Sequence, residues 1–430
     1  MLEERKRSID ISPEDEDKII KVYGWALDRR DLGGVKFIIL ADRWGRVQVT
    51  WVKNKSDPNV ETALDSIKLN DVIEVSGRVK KTPQAPRGLE IDPIEIKILN
   101  TSEHPLPLDP TERIKSNLDI RLDARPLDAF RPRVRSIFIV KSALLGILRD
   151  FFHENDFVEI ITPRIIASAT EGGAALFPIP YFDRVAYLAQ SPQLFKEQMV
   201  ISFERVFEIG TFFRAEPFNT TKHLNEFTSI DIEVAFADMY DVMSICEKMI
   251  TYIYDKIFER CRDDLDRLDL KISKPQVPLK RFRYEEIISK LNEKDVKVNF
   301  GDDVGSEELR NLEELREEYY FITHWPSKIK PFYIKMNDNG TSESFDLNHG
   351  SLELGSGGTR EENKEKLIKQ LIEKKLNPSD FSYHLKAFGY GMPPHAGWGV
   401  GLERLLMSIL KLDNIREAML YPRDRFRLEP

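Results

Sequence analysis

The sequence predicts an α+β protein, with a small β-barrel first and a larger domain of strands and long helices behind it. Three observations point there. Five short strand-like runs fall within residues 18–99. Residues 100–130 are dense in proline, charge and turn formers and read as a hinge. Beyond them a long helical pattern precedes strand-like runs in 206–233, 332–360 and 384–411, with a charged helical stretch among them.

Residues 1–17 are charged and lack the apolar core of a signal peptide. The five runs that follow are KIIKVYGWAL, VKFIILAD, GRVQVTWV, DVIEVSGRV and LEIDPIEIKIL. Turn signals at Leu32-Gly33-Gly34, Asp42–Gly45 and Pro83–Gly88 separate them. Five strands in about 80 residues suit a small closed barrel such as an OB-fold, though another small barrel or sandwich fits as well. OB-folds stack single-stranded bases on exposed aromatics, for which Phe37 and Trp44 are candidates. The barrel is assigned residues 1–103, the hinge 104–130 and the larger domain 131–430.

From Arg131 to Glu154 the apolar residues Ile137, Val140, Leu144, Ile147, Leu148 and Phe151 recur at helical spacing. Phe157–Pro163 follows as a short strand ending at proline. Residues 238–320 read as a charged, mostly helical insert. PFYIKM, at 331–336, reads as a strand. The net charge is −8; residues 1–100 balance 18 basic against 18 acidic side chains, so the rest carries all of it. A general basic footprint for nucleic acid is therefore absent, and any RNA contact must come from local patches. Cys246 and Cys261 have no metal-like spacing and read as reduced packing residues of a cytoplasmic protein. No apolar run approaches a membrane span.

The chemistry gathers around Phe212–Glu233, two strand-like runs joined by a turn. Arg214 and Glu216 alternate onto one face, as do Phe227, Ser229, Asp231 and Glu233. An Arg fork suits a phosphate and an aromatic face suits a purine. A salt-bridged surface hairpin would also explain Arg-x-Glu alone. Further on, Asp346, Glu353 and Ser356 are oxygen donors of the kind magnesium prefers beside a nucleotide. Gly355, Gly357 and Gly358 would let the backbone approach a ligand, and Arg360 can clamp a carboxylate.

Phe213-Arg214-Ala215-Glu216 with His223-Leu224-Asn225-Glu226-Phe227 resembles motif 2 of the class II aminoacyl-tRNA synthetases. The helix, strand and Pro163 resemble motif 1, and Gly399-Val400-Gly401-Leu402-Glu403-Arg404 resembles motif 3. Thr170-Glu171-Gly172-Gly173, Gln190–Lys196, Glu353–Arg360 and Tyr421–Arg425 resemble the subgroup for aspartate, asparagine and lysine. The likeness covers essentially the whole chain and is greatest to the aspartyl enzymes of the archaeal and eukaryotic kind.

The resemblance implies an antiparallel sheet of six or seven strands flanked by helices, an anticodon-reading OB-fold and a homodimer. It implies aspartate–tRNA ligase activity: aspartate attacks the α-phosphate of ATP, and the 3′ end of tRNA(Asp) then takes the aspartyl group. ATP is a substrate and Mg the expected metal. By this resemblance Arg214, Glu216 and Arg404 are catalytic. Arg214 meets the α-phosphate, Arg404 the γ-phosphate, and Phe227 stacks on adenine. Lys222, His223, Leu224, Gly401, Leu402 and Glu403 also hold the nucleotide, the glycines leaving room for the adenine. Glu353 and Ser356 ligate Mg. Lys196 and Arg360 bind the aspartate side chain, Glu171 and Asp231 its ammonium, with Gln193 and Ser356 beside them.

Phe37, Gln48 and Glu90 stand where the family contacts anticodon bases. Enzymes that reject tRNA(Asn) tend to carry Trp and Lys where this chain has Leu27 and Pro86, which implies charging of both tRNA(Asp) and tRNA(Asn). Lys196 argues against an asparaginyl enzyme. An asparagine synthetase-like paralogue, or a non-catalytic RNA-binding one, would share the fold; the barrel argues against the first, and Arg214, Glu353, Arg360 and Arg404 against the second.

Overall fold

The structure is a computed structural model that describes residues 4–167, 175–217 and 220–430. The chain divides into two compact units, Met1–Arg131 and Pro132–Pro430.

In the first unit all five expected strands form: β1 (Ile19–Asp31), β2 (Val35–Ala41), β3 (Arg46–Val52), β4 (Val72–Lys81) and β5 (Leu89–Asn100). They close into a barrel in the order β1-β2-β3-β5-β4, with β4 back against β1. Alternation drives the closure. Val22, Ile38, Leu40, Val49, Trp51, Val75 and Ile91 point inward and are almost wholly buried. Helix α1 (Pro58–Ser66) is capped by the Asp57 carboxylate, which accepts from the Asn59 N–H at 2.8 Å. The stretch read as a hinge is more ordered than its composition suggests. It holds two short helices, α2 (Leu118–Asp123) and α3 (Arg125–Asp128), tied by the buried Arg125–Asp128 pair at 2.8 Å.

The second unit opens with α4 (Pro132–Glu154), whose expected apolar stripe is buried. Next come β6 (Val158–Glu159), β7 (Ile165–Ile166), β8 (Pro178–Tyr181), β9 (Arg184–Leu188), α5 (Gln193–Phe203), β10 (Arg205–Phe213) and β11 (Glu226–Ala235). Then α6 (Met239–Arg260), α7 (Arg262–Arg267), β12 (Lys280–Arg283), α8 (Tyr284–Asn292), α9 (Ser306–Leu309) and β13 (Tyr319–Thr323) fill the stretch read as a helical insert. The chain finishes with β14 (Ser344–His349), β15 (Leu352–Thr359), α10 (Lys364–Glu373), α11 (Ser382–Phe388), β16 (His395–Gly401) and α12 (Leu402–Leu410).

Three expectations need correction. The main sheet has eight strands, in the order β12-β13-β14-β15-β16-β11-β10-β6, and is mixed. Its edge pairs β12–β13 and β6–β10 are parallel, and helices lie in both connections, as parallel strands require. The insert thus contributes two strands to the sheet. PFYIKM makes only isolated bridges, at Ile334 and Met336. Phe332, Tyr333 and Ile334 are buried against Leu367 and Leu371 of α10, so packing rather than pairing explains the apolar run. Of the strand expected over Phe157–Pro163 only Val158–Glu159 pairs.

α4, α6 and α12 cover the sheet, and their apolar faces share one core with Phe207, Ile230, Ile232 and Trp398. Trp398 is fully buried and donates its indole N–H to the Val242 carbonyl at 3.0 Å. Cys246 and Cys261 are free and buried, and burial pushes the Cys261 thiol up to about 11. Among the described residues no helix is long and apolar enough to cross a membrane.

Candidate active site

β10 and β11 pair from Arg205↔Val234 to Phe213↔Glu226. Past β10, the Arg214 N–H donates to the Asn225 carbonyl at 2.9 Å and keeps the hairpin arms together. β11 pairs with β16 and β16 with β15, so that Asp231 and Ser356 flank Gly399 from either side. This surface floors an open cleft of about 1070 Å³, counting its solvent-filled mouth. Arg214, Glu216, Lys222, His223, Leu224, Phe227 and Asp231 of the hairpin all line it. So do Gln193, Glu353, Ser356, Arg360, Gly401, Glu403 and Arg404. Residues scattered over more than 200 positions of sequence thus meet in one site.

At the mouth Arg214, Lys222 and Arg404 gather beside Glu216 and Glu353. The Arg214 guanidinium lies 5.3 Å from the Phe227 ring centroid. Arg404 donates to the Glu353 carbonyl at 3.0 Å and Lys222 to the Ser351 carbonyl at 3.4 Å, backbone oxygens rather than carboxylates. Burial, with Arg310 and Arg404 nearby, pushes Lys222 down to about 8. Burial and Arg404 likewise lower His223, whose Nδ1 lies 2.6 Å from the Thr220 hydroxyl.

The closed end holds a buried ion network. Lys196 is 1 % exposed; its Nζ lies 2.9 Å from Asp231, 3.5 Å from Glu233 and 3.1 Å from the Trp398 carbonyl. Lys196 therefore stands behind the wall, with Asp231 between it and the cleft. Arg360 donates to Glu233 at 2.8 and 3.2 Å and reaches Gln193 Oε1 at 3.4 Å. Two cations face two carboxylates. Glu171 lies outside the described residues.

On the third side Asp346 pairs across the β14–β15 ladder with Ser356, near Glu353. Burial and the Glu353 charge push Asp346 up to about 7, against the pull of Lys330, whose Nζ lies 2.7 and 2.9 Å from the carboxylate. A cation already sits where negative charge accumulates. With Asp346 held by Lys330, the Glu353 carboxylate and the Ser356 hydroxyl are the oxygen donors on this side that face the cleft, and they fit a magnesium shared with phosphate oxygens. Among the described residues no group of three or more His, Cys, Asp and Glu is placed to hold a metal.

Other expected residues sit differently. Leu402 is fully buried in the core, so only its backbone can meet a nucleotide. Glu403 is 1 % exposed, accepting from Lys141 Nζ at 2.8 Å and the Thr228 N–H at 2.9 Å; it anchors α12. A side chain at Gly355 would meet the Gly399 carbonyl at 2.1 Å, and one at Gly397 the Glu233 carboxylate at 2.3 Å. Close strand packing by itself demands glycine at both positions. At Gly401 the nearest atoms are those of Arg404, 3.8 Å away, so space remains there.

In the barrel, Gln48 pairs with Glu90 across β3–β5, and Phe37 with Thr50 across β2–β3. Gln48 Nε2 donates to Glu90 at 3.1 Å and the Thr50 hydroxyl to the same oxygen at 2.6 Å. The three expected anticodon residues thus share one half-buried face. Trp44 is 37 % exposed, with Arg5 and Arg7 each 5.2 Å from its ring. Leu27 is 2 % exposed at the β1 bulge, and Pro86 is exposed in the turn before β5. Leu27 could influence a tRNA only through packing.

Residues 117–425 match the family of tRNA synthetases class II (D, K and N), and residues 20–99 the OB-fold nucleic acid binding domain. The chain belongs to the class II tRNA synthetases. An aspartate–tRNA(Asp/Asn) ligase of Methanopyrus kandleri is 45% identical to this synthetase over 423 residues, 98% of each chain. An aspartate–tRNA(Asp) ligase of Thermococcus kodakarensis is also 45% identical, over 98% of this chain and 99% of its own. Among solved structures, asparaginyl-tRNA synthetase from Pyrococcus horikoshii, complexed with asparaginyl-adenylate, superposes with TM-score 0.94 at 30% identity over all of both chains.

Sequence reading missed several cleft residues of the synthetase. Tyr333 lies in the stretch taken for a strand and Lys330 just before it, with no motif to mark them; the Tyr333 ring lies 5.4 Å from the Arg360 guanidinium. Ile415 comes from beyond α12. Glu197, which stands behind the cleft wall, could have been found, one helical turn after Gln193 on a helix already singled out.

Proposed function

We propose that this synthetase is an aspartate–tRNA ligase: it joins L-aspartate to ATP as aspartyl-adenylate, then passes the aspartyl group to the ribose 3′-hydroxyl of tRNA. The network Lys196–Asp231–Glu233–Arg360 carries the choice of amino acid. An ion network at the closed end of a cleft favours a ligand that can exchange charge for charge. The aspartate ammonium draws Asp231 away from Lys196, and the side-chain carboxylate then takes Lys196 and Arg360, so no buried charge is left unmatched. An asparagine amide would leave a cation unmet. Gln193 and Ser356 flank the ligand, and Glu171 is assigned to the ammonium.

ATP lies in the mouth, among the cations gathered there. Phe227 stacks on adenine, while Glu216, His223 and the backbone of Leu224, Gly401 and Leu402 frame the nucleoside. Arg214 meets the α-phosphate, and Lys222 and Arg404 the outer phosphates. The substrate carboxylate is the nucleophile, so the chain need only orient it and neutralise charge. Arg214 balances the charge that grows as the bond to pyrophosphate breaks. Glu353 and Ser356 would hold magnesium, which supplies further neutralisation of the phosphates.

We assign both tRNA(Asp) and tRNA(Asn) as acceptors. Pro86, where the discriminating enzymes tend to carry Lys, supports this, and so does the name of the Methanopyrus relative. Phe37, Gln48 and Glu90 form the face for the anticodon. Two copies of the chain pair through the edge of the sheet near β6, where Val158 and Ile161 are 41 % and 90 % exposed.

Charging with labelled aspartate on transcripts of both tRNAs tests these points together. Both are expected to accept aspartate, and Pro86→Lys is expected to reduce charging of tRNA(Asn) alone. Charging of tRNA(Asp) only would overturn the relaxed choice. Charging of neither, with aspartate-dependent pyrophosphate exchange intact, would overturn the ligase assignment and favour an adenylate-forming paralogue.

A further inference from the structure

Behind the closed end of the cleft lie three ionisable side chains that the proposed chemistry does not use. Glu197 of α5 is 1 % exposed; His384 of α11 and His395 of β16 are fully buried. Glu197 Oε1 accepts from Gln193 Nε2 at 2.5 Å. Its other oxygen faces His384 Nε2 at 3.2 Å and His395 Nε2 at 3.9 Å. That oxygen, both nitrogens of His384 and Nε2 of His395 make no directed hydrogen bond among the described residues. Orphaned buried polar atoms are rare, and here three of them, Glu197 Oε2 and the Nε2 atoms of both histidines, face one another.

The proton count follows from the geometry. His395 Nδ1 lies 2.8 Å from the Pro393 carbonyl, an acceptor, so Nδ1 carries a proton. Nε2, which faces Glu197, is then the position that gains or loses the second proton. Lys196 and Arg360 are already matched by Asp231 and Glu233, which leaves Glu197 as a buried carboxylate with no fixed cation. A proton on His395 Nε2 turns it into an ion pair; without that proton His395 turns a bare ring nitrogen towards the carboxylate.

The cluster touches the cleft through one side chain. Since Gln193 gives its amide N–H to Glu197, its Oε1 must point the other way, to Arg360 at 3.4 Å. We propose that Glu197, paired with a proton on His395 Nε2 and packed against His384, is a positioning unit that fixes the Gln193 amide and through it the Arg360 guanidinium that receives the substrate's side-chain carboxylate. The proposal rests on the aspartate reading of the cleft. The ionisable groups facing the cluster are His384 and Tyr383 from α11, His395 from β16, Glu233 from β11, and Arg360 and Glu362 beyond β15. Burial works against a charged His395, but Glu197 and the more distant Glu233 outweigh it and hold its pKa above the ordinary value. The proton is therefore bound at low pH and lost as pH rises through that raised value. Aspartate affinity should fall in the same direction.

Aspartate-dependent pyrophosphate exchange, which needs no tRNA, reads this directly. In the unmodified protein the KM for aspartate should rise with pH along a single-proton curve, while that for ATP follows a different profile. Glu197→Gln keeps an acceptor for Gln193 but removes the charge. It should raise the aspartate KM on the order of 10-fold at neutral pH, flatten its pH profile, and leave kcat and the ATP KM within about twofold. His395→Asn should flatten the profile in the same way, which covers the case of a Glu197 variant that does not fold. A flat wild-type profile with exchange present overturns the proposal. So does an unchanged slope in a folded Glu197→Gln protein, or a fall confined to kcat. No aspartate-dependent exchange at any pH would instead overturn the aspartate reading on which the proposal stands.

Discussion

Lys222 shows how one residue's surroundings set its use. On a solvated loop it would titrate near the ordinary lysine value; half-buried beside Arg310 and Arg404, it is held near 8. A lysine whose pKa is depressed keeps its charge only below that value, and phosphate favours the charged form. The KM for ATP should therefore rise as pH climbs above 8, by up to about tenfold per unit, and Lys222→Met should give a raised but flatter profile. Equal slopes in the two proteins would remove Lys222 from the nucleotide site. Other single residues needed the fold to be understood. Lys196 read as a cation waiting for a substrate, yet it is already paired with Asp231 and Glu233. Glu403 read as a nucleotide ligand; it lines the cleft and also anchors α12. Residue type was legible in both cases, but the partner was not, because the partners lie 35 and 262 residues away.

Elements were legible where periodicity and turn chemistry agreed. All five barrel strands, α4 and the β10–β11 hairpin follow their sequence patterns closely, because each buries one face. PFYIKM failed for the opposite reason: its apolar side chains are buried under α10, so a run of buried residues mimics a strand without a pairing partner. Helix α12 carries the sharpest energetic test at this scale. Its first turn is held by Glu403, which ties it to α4 through Lys141 and to β11 through the Thr228 N–H. Glu403→Ala strands the half-buried Thr228 N–H and takes one of the partners of the half-buried Lys141 ammonium. Urea unfolding should show a loss of about 3 kcal/mol, with Glu403→Gln costing less because it still accepts from Thr228. A loss below about 0.5 kcal/mol would mean that the anchor is dispensable.

The whole molecule joins an OB-fold to a class II catalytic unit, and the sheet of that unit ends at an exposed two-residue strand. Such an edge, with Ile161 90 % exposed just beyond it, is a surface that proteins cover. Light scattering should give about twice the 50.0 kDa chain mass, and Ile161→Asp should shift it towards a single chain; a 50.0 kDa species with full exchange activity would overturn the dimer. Sequence alone determined the barrel, the order of the three motifs, the family and most of the cleft residues. These depend on local periodicity and on short spacings that the chain carries wherever it folds. Only the tertiary structure decided that the sheet is mixed, that Gly355 and Gly397 serve strand packing, that Lys330 neutralises Asp346, and that Glu197 meets two histidines behind Gln193. Each of those is a contact between distant segments, and its energy depends on burial and on the charge of the partner, neither of which has a period or a spacing in the sequence.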